Sequence, residues 1–183
     1  MIQIGIVSAQ NLATNPGFET GNTTGWSSFG AGLISVESSY VHSGNFACLV
    51  TNRTANWNGI GESLLGVLKT NQTYNISVWL RLAGGADQTM ALTLEESDAS
   101  GTSYNWLTAG TVSTNGWVQF AGQYTLAPTG AVTSLFLYAE VPSSANAAYF
   151  IDDLDVEPVS TPNPTNGQCT VAWTNVFLSL IHI

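Results

Sequence analysis

Apolar and polar side chains alternate with a period of two along most of this chain, the pattern of strands with one buried face. Between Thr73 and Leu82, the residues Tyr74, Ile76, Val78, Leu80 and Leu82 share one face, and Thr73, Asn75, Ser77, Trp79 and Arg81 the other. Met90, Leu92 and Leu94 lie opposite Thr89, Ala91, Thr93 and Glu95 in the same way. Val118, Phe120, Tyr124 and Leu126 alternate with Trp117, Gln119, Gln123 and Thr125, and Leu135, Leu137, Ala139 and Val141 oppose Phe136, Tyr138 and Glu140. Further strands are predicted near 32–38, 45–52, 61–67 and 147–157, with turn signals at Gly84-Gly85, Asn115-Gly116, Pro128-Thr129-Gly130 and Pro142-Ser143-Ser144. No segment carries an amphipathic helical period. About eight or nine short antiparallel strands predict an all-β fold: a two-sheet antiparallel β-sandwich, or jelly roll, with strand-like terminal tails.

The pattern divides the chain. Residues 1–10 form an apolar, strand-like tail or a signal remnant, with Val7-Ser8-Ala9 resembling a cleavage site. Residues 11–157 hold the sandwich, 158–168 a linker rich in Pro, Ser, Thr and Asn, and 169–183 a second apolar, β-prone tail. Tails of this kind dock on their own domain or add as a strand to a neighbouring copy, which would build a homopolymer.

Composition narrows the partners. Only three of the 183 residues are Lys or Arg and the net charge is −9, which repels phosphate and excludes nucleic acid and anionic membrane surfaces. No apolar run reaches the length of a membrane-crossing helix, so membrane insertion is not expected. Few charges with many Asn, Thr, Ser and Gly residues indicate a secreted, extracellular β protein. Cys48 and Cys169 fit no zinc spacing, and make either one long-range disulfide or two thiols. Asn22, Asn52, Asn71 and Asn75 each open an Asn-x-Ser/Thr sequon, an acceptor for N-glycosylation in a eukaryotic secretory route.

A succession of short runs follows in order: Asn15-Pro16-Gly17-Phe18-Glu19, Gly25-Trp26, His42-Ser43-Gly44-Asn45-Phe46, Arg53-Thr54-Ala55-Asn56-Trp57-Asn58-Gly59 and Leu68-Lys69-Thr70-Asn71-Gln72-Thr73-Tyr74. Ser77-Val78-Trp79-Leu80 and Tyr149-Phe150-Ile151-Asp152-Asp153-Leu154 close it. Over about residues 11–157 this series resembles the carbohydrate-binding modules of families 4, 9 and 22. The resemblance implies a jelly roll with a glycan groove on one sheet, and a β-linked polysaccharide of xylan or glucan type as partner. Sugars present flat C–H faces to aromatic rings and hydroxyls to polar side chains, so the groove should mix both. Trp57 matches a family aromatic that stacks on xylan-type ligands, and Tyr104, Tyr138 and Glu140 stand where family 22 has further contacts. Trp79, Arg81 and Glu95 also lie on outward faces by alternation, and Trp79 and Arg81 join the candidate carbohydrate-binding set. Arg53 is expected to end a strand and brace the Trp57 loop. One departure is visible: where some members carry a ligand-binding arginine after the first Trp, this chain has Ser27, Ser28 and Phe29. The resemblance further implies a structural Ca2+ held by Glu19 and Asp152, a hard-oxygen pair, while Asp153 turns to the other face.

Alternatives attach to several of these residues. Glu140 could pair with Arg81 across a sheet, and a glycan on Asn75 would compete with a groove containing Trp79. Enzyme motifs are lacking: His42 and His182 are the only histidines, and no nucleophile triad or phosphate loop occurs. Glu95 and Glu140 together could mimic a glycosidase carboxylate pair. The reading is a non-catalytic extracellular polysaccharide-binding domain, with a filament subunit built by terminal strand exchange as its rival.

Overall fold

The clearest alternation in the chain becomes its clearest strand, with Tyr74, Ile76, Val78, Leu80 and Leu82 all buried. The computed structural model describes residues 10–159. Within them lie β1 (Trp26–Phe29), β2 (Leu33–Glu37), β3 (Ala47–Thr51), β4 (Gly59–Ser63) and β5 (Thr73–Leu82). There follow β6 (Gln88–Asp98), β7 (Gly101–Val112), β8 (Val118–Thr125), β9 (Ser134–Glu140) and β10 (Tyr149–Pro158). The strands form two five-stranded sheets, a front sheet ordered β1-β4-β9-β6-β7 and a back sheet ordered β2-β3-β10-β5-β8. All pairings are antiparallel, and no helix occurs among the described residues.

The predicted sandwich is therefore the observed architecture. Two strands, β1 and β7, fall outside the predicted set. β1 has four residues, too few to show a period, and the first half of β7 is exposed on both faces, so neither face is apolar.

The inner faces meet in one core. The front sheet supplies Ile60, Leu92, Leu94, Leu137 and Ala139, and the back sheet Val50, Ile76, Val78, Leu80 and Ile151, none more than 1% exposed. Each of the Val, Leu and Ile side chains among them stabilises the fold by about 1.5–3 kcal/mol. Tyr149, buried on β10, crosses this core with a polar tip: its hydroxyl donates to Ala139 O at 2.7 Å and accepts from Ile60 N at 3.2 Å. The back sheet is thereby pinned to β4 and β9, the strands that carry the site described below.

Glu62 also points inward. Its Oε2 accepts from Thr14 N at 2.9 Å, tying down the segment before β1, while its buried Oε1 has no partner. Burial pushes this carboxyl up to about 7. Cys48 is buried on β3, whereas Cys169 lies outside the described residues. The tails proposed for strand exchange, residues 1–10 and 169–183, also lie outside them except for Gln10.

Candidate functional site

On its outer face the front sheet collects aromatic side chains. Antiparallel register aligns Phe29 with Gly59, Gly59 with Glu140, Gly61 with Tyr138, Thr93 with Tyr138 and Thr93 with Trp106. Because side chains alternate, Phe29, Glu140, Tyr138, Thr93, Trp106 and Tyr104 all stand on the same side. The two glycines of β4 keep that side open and let the strand press against β9. A Cβ at Gly59 would sit 1.9 Å from Ala139 O, and one at Gly61 1.7 Å from Leu137 O. The result is an open cleft of about 460 Å³ lined by Phe29, Asn56, Trp57, Tyr104, Trp106, Tyr138, Glu140 and Pro142.

Trp57 enters from the loop between β3 and β4 and is 51% exposed. That loop is held from beneath by Arg53, itself only 3% exposed. Its Nε donates to Asn58 O at 2.7 Å, and Nη2 to Ala55 O at 3.3 Å and Asn56 O at 3.0 Å. Nη1 reaches across to Ser144 O at 3.2 Å and Ala147 O at 2.9 Å. Asn58 completes the brace, its Oδ1 accepting from Thr54 N at 3.1 Å and Ala55 N at 2.8 Å. The indole rests on Gly30, where φ is +75° and a Cβ would lie 2.5 Å from Trp57 Cζ3. Trp57 is thus a fixed plate, and Arg53 has the bracing role its position suggested.

Glu140 is nearly buried at 6% exposure. Its Oε1 accepts from Thr93 Oγ1 at 2.6 Å and from Trp106 Nε1 at 3.0 Å, while Oε2 accepts from no group among the described residues. Burial pushes its pKa up, and the two hydrogen bonds and the charge of Arg53 pull it partly back. Tyr138 is covered rather than presented: Phe29 stacks on it at 4.1 Å and 19° between planes, leaving 3% exposure. Phe29 is the ring that faces the cleft in its place. Tyr104 and Trp106 are 59% and 58% exposed along the other wall.

Of the predicted binding set, Trp57, Tyr104, Tyr138 and Glu140 meet here, and Trp79 and Arg81 do not. Both belong to β5 of the back sheet, so the alternative of a Glu140–Arg81 pair is not met. Trp79 stacks flat on His42 at 3.8 Å. Arg81 donates through Nε and Nη2 to Thr114 O at 3.2 and 2.7 Å and lies 4.1 Å over the Tyr40 ring. Asn75 shares that back-sheet face, so a glycan attached there would not enter the cleft. The four sequon asparagines are all exposed. Glu95 accepts from Ser97 Oγ and Ser134 Oγ, both at 3.0 Å. Register places it opposite Phe136, four residues along β6 from the partner of Glu140. That is roughly 13 Å of strand, wider than the ~6.5–9.5 Å of an inverting carboxylate pair.

Phe29 and Trp106 were not in the predicted set. Trp106 follows Tyr104 by two residues and shares its face once 101–112 is seen as a strand; that spacing was the available signal. For Phe29 the signal was the departure from the arginine pattern.

Glu19, Asp152 and Asp153 all approach Gly17, whose Cβ would stand 3.8 Å from Glu19 Cγ, 3.5 Å from Asp152 Oδ1 and 3.1 Å from Asp153 Oδ1. Glu19 Oε1 accepts from the backbone N–H of Asn45 at 2.8 Å and Phe46 at 2.9 Å, which, with Asn45 Nδ2 on Oε2, holds its carboxyl below the ordinary range. Asp152 is fully buried. Its Oδ2 accepts from His42 N at 2.9 Å and Ser43 N at 3.3 Å, its Oδ1 from Asp153 N at 2.8 Å, yet burial still pushes it up to about 6. No third His, Cys, Asp or Glu joins a metal cluster among the described residues. The two carboxylates are hard-oxygen donors of the kind Ca2+ takes, and each of their four oxygens already accepts an N–H. Asp153, at φ +48° and expected on the other face, stays beside the pair: it meets His42 Nδ1 at 2.6 Å and Ser43 Oγ at 2.9 Å, in the turn that Asp152 also holds.

Comparison with known proteins places this geometry. A family model described as carbohydrate binding domain matches residues 10–146. Endo-1,4-beta-xylanase A of Thermotoga neapolitana is 37% identical over 125 residues, covering 67% of this chain and 12% of that protein. The xylan-binding CBM22-1 domain of Xyn10C from Paenibacillus barcinonensis superposes with a TM-score of 0.76 at 32% identity, over 86% of this chain and 99% of that domain. The C-terminal family 22 carbohydrate binding module of Clostridium thermocellum Xyn10B gives 0.71 at 27% identity, over 80% of this chain and 92% of that one. The chain therefore spans about an eighth of the curated xylanase and nearly the whole of the solved modules.

Proposed function

The chain belongs to the carbohydrate-binding domain family, and from that membership we propose that its front-sheet cleft holds a xylan chain without cleaving it. The observation that carries this is a single cleft with three aromatic side chains more than half exposed, Trp57, Tyr104 and Trp106, set around the anchored carboxylate of Glu140. Exposed rings on a rigid loop and strand offer stacking faces to sugar C–H surfaces at little entropic cost. Glu140 Oε2 remains to accept a sugar hydroxyl. A pyranose chain laid along such an open cleft is contacted on one side only, as suits recognition of a polymer in place of a small molecule.

The relatives support this choice of glycan, being xylanases and the xylan-binding modules cut from them. We propose that the domain works outside the cell, where insoluble xylan is found, and that it brings a larger protein to that surface. Ca2+ at Glu19 and Asp152 would brace the segment 17–19 against β10 and the turn at 42–46, on the back-sheet side and away from the cleft. The filament reading has no support from the relatives, and its strands lie outside the described residues.

The test is retention on xylan. Trp57→Ala should weaken binding by about 10–100-fold, the loss expected for a buried aromatic anchor, while Trp79→Ala should leave it unchanged. Equal retention of wild type and Trp57→Ala in an affinity gel containing xylan would sink the proposal.

A further inference from the structure

We infer that the cleft favours xylan whose hydroxyls are partly O-acetylated, with Phe29 the side chain that selects it; this rests on the xylan reading above. The physical basis is a mismatch between the cleft and a bare sugar. Every hydroxyl removed from water needs a partner, or its desolvation goes uncompensated. The cleft has four rings facing the ligand but few groups to satisfy hydroxyls.

Most of its polar atoms are already engaged. Asn56 Nδ2 donates to Pro142 O at 3.3 Å, and Trp106 Nε1 and Thr93 Oγ1 are both given to Glu140 Oε1. No lysine, arginine or histidine lines it. The nearest guanidinium, Arg53, sends donors to five backbone carbonyls beneath the Trp57 loop. What remains is small: Glu140 Oε2 and Asn56 Oδ1 as acceptors, with the Tyr138 hydroxyl and, on the opposite wall, the Tyr104 phenol as donors. A ligand carboxylate would meet the charge of Glu140, while the nearest cation, Arg53, is already committed to backbone carbonyls, so acidic side groups are disfavoured as well.

Phe29 sits at the centre of this arrangement. It stacks on Tyr138 and lies edge-on to Trp57 at 6.1 Å and to Tyr104 at 6.3 Å. A hydroxyl lying against it loses water and gains nothing. An acetyl ester in the same place replaces that hydroxyl with a methyl, which packs on the ring, and a carbonyl, which the Tyr104 phenol can reach as donor. Free hydroxyls elsewhere on the chain still donate to Glu140.

The experiment uses acetylated xylohexaose and the same material after mild alkaline deacetylation, each titrated into the protein by calorimetry. One buried methyl should tighten binding about fourfold. Phe29→Arg keeps a stem on Tyr138 but adds donors, and should abolish or reverse the preference. Tighter binding of the acetylated ligand, lost in Phe29→Arg, supports the inference. Equal or weaker binding of the acetylated ligand by wild type overturns it and leaves the xylan reading standing. Retention of the preference in folded Phe29→Arg removes Phe29 as its cause. Binding of neither oligosaccharide overturns the xylan reading together with this inference. Should Phe29→Arg not fold, the wild-type comparison decides.

Discussion

Replacing Arg53 by methionine tests whether the Trp57 loop is held by one guanidinium. Methionine keeps the apolar stem and removes donors to five carbonyls, three in the loop and two in the 144–147 segment. A buried acceptor left without a partner costs about 1–3 kcal/mol, so five would give at least ~5 kcal/mol. Two corrections lower that figure. Burial disfavours the cation and lowers its pKa, so its removal returns some desolvation energy. Ala55 and Asn56 also lie near the surface, where water can replace the lost donor. A net loss of about 3 kcal/mol follows. At a urea slope of roughly 2 kcal/mol per molar, the unfolding midpoint should fall by about 1.5 M with the slope unchanged. Xylan affinity should fall along with it at temperatures where the variant remains folded, because the loop that aims the indole has come loose. Arg53→Lys, with a compact ammonium, should recover part of the stability but little of the loop geometry. A midpoint within about 0.3 M of wild type, with unchanged affinity, would show that the backbone of 53–58 holds itself.

Gly30→Ala attacks the same plate from below: φ there is +75°, and the added carbon would lie 2.1 Å from Asn58 Nδ2 and 2.5 Å from the Trp57 ring. Xylan retention should drop at least about tenfold with the Trp fluorescence shifted; unchanged values for both would refute the contact. Glu62 has its carboxyl raised to about 7. The folded state therefore binds more protons than the unfolded one above the ordinary carboxylate range, and this group makes stability rise as pH falls from about 8 to about 5. Glu62→Gln keeps the acceptor for Thr14 N, so it should stabilise the protein at pH 8 and flatten that slope in urea titrations. A variant with the slope of wild type removes Glu62 as its source. Chelation should lower the melting temperature of wild type, and added Ca2+ should restore it, whereas Asp152→Asn should not respond to either. A wild type indifferent to chelator would exclude the cation.

The strands of the core were legible because burial on one face forces alternation. β5 satisfies that rule residue by residue, whereas in β6 and β9 the inner residues the pattern selects are buried together with Ala91, Thr93, Tyr138 and Glu140 of the outer face, which the cleft covers. β7 was not, because an arm exposed on both sides has no apolar face to betray it, and Trp106 went unseen with it. Arg53 and Trp57 could be read as a brace and a plate since both belong to one short loop. Trp79 and Arg81 were assigned to the cleft because alternation says that a side chain points outward without saying from which sheet.

The sequence by itself determined the sandwich, the inward sets of its core strands and the family, and it pointed to Trp57, Tyr104 and Glu140, which the candidate cleft brings together. Only the tertiary structure decided which outward faces share a sheet. Strand order is set by pairings between residues far apart in the chain, such as β4 with β9 and β10 with β5. Those pairings bring Phe29 onto Tyr138 and Trp106 onto Glu140, and they carry Trp79 to the far side of the molecule. A period of two records burial, and burial is local; membership of a cleft depends on sheet topology, which no single strand encodes.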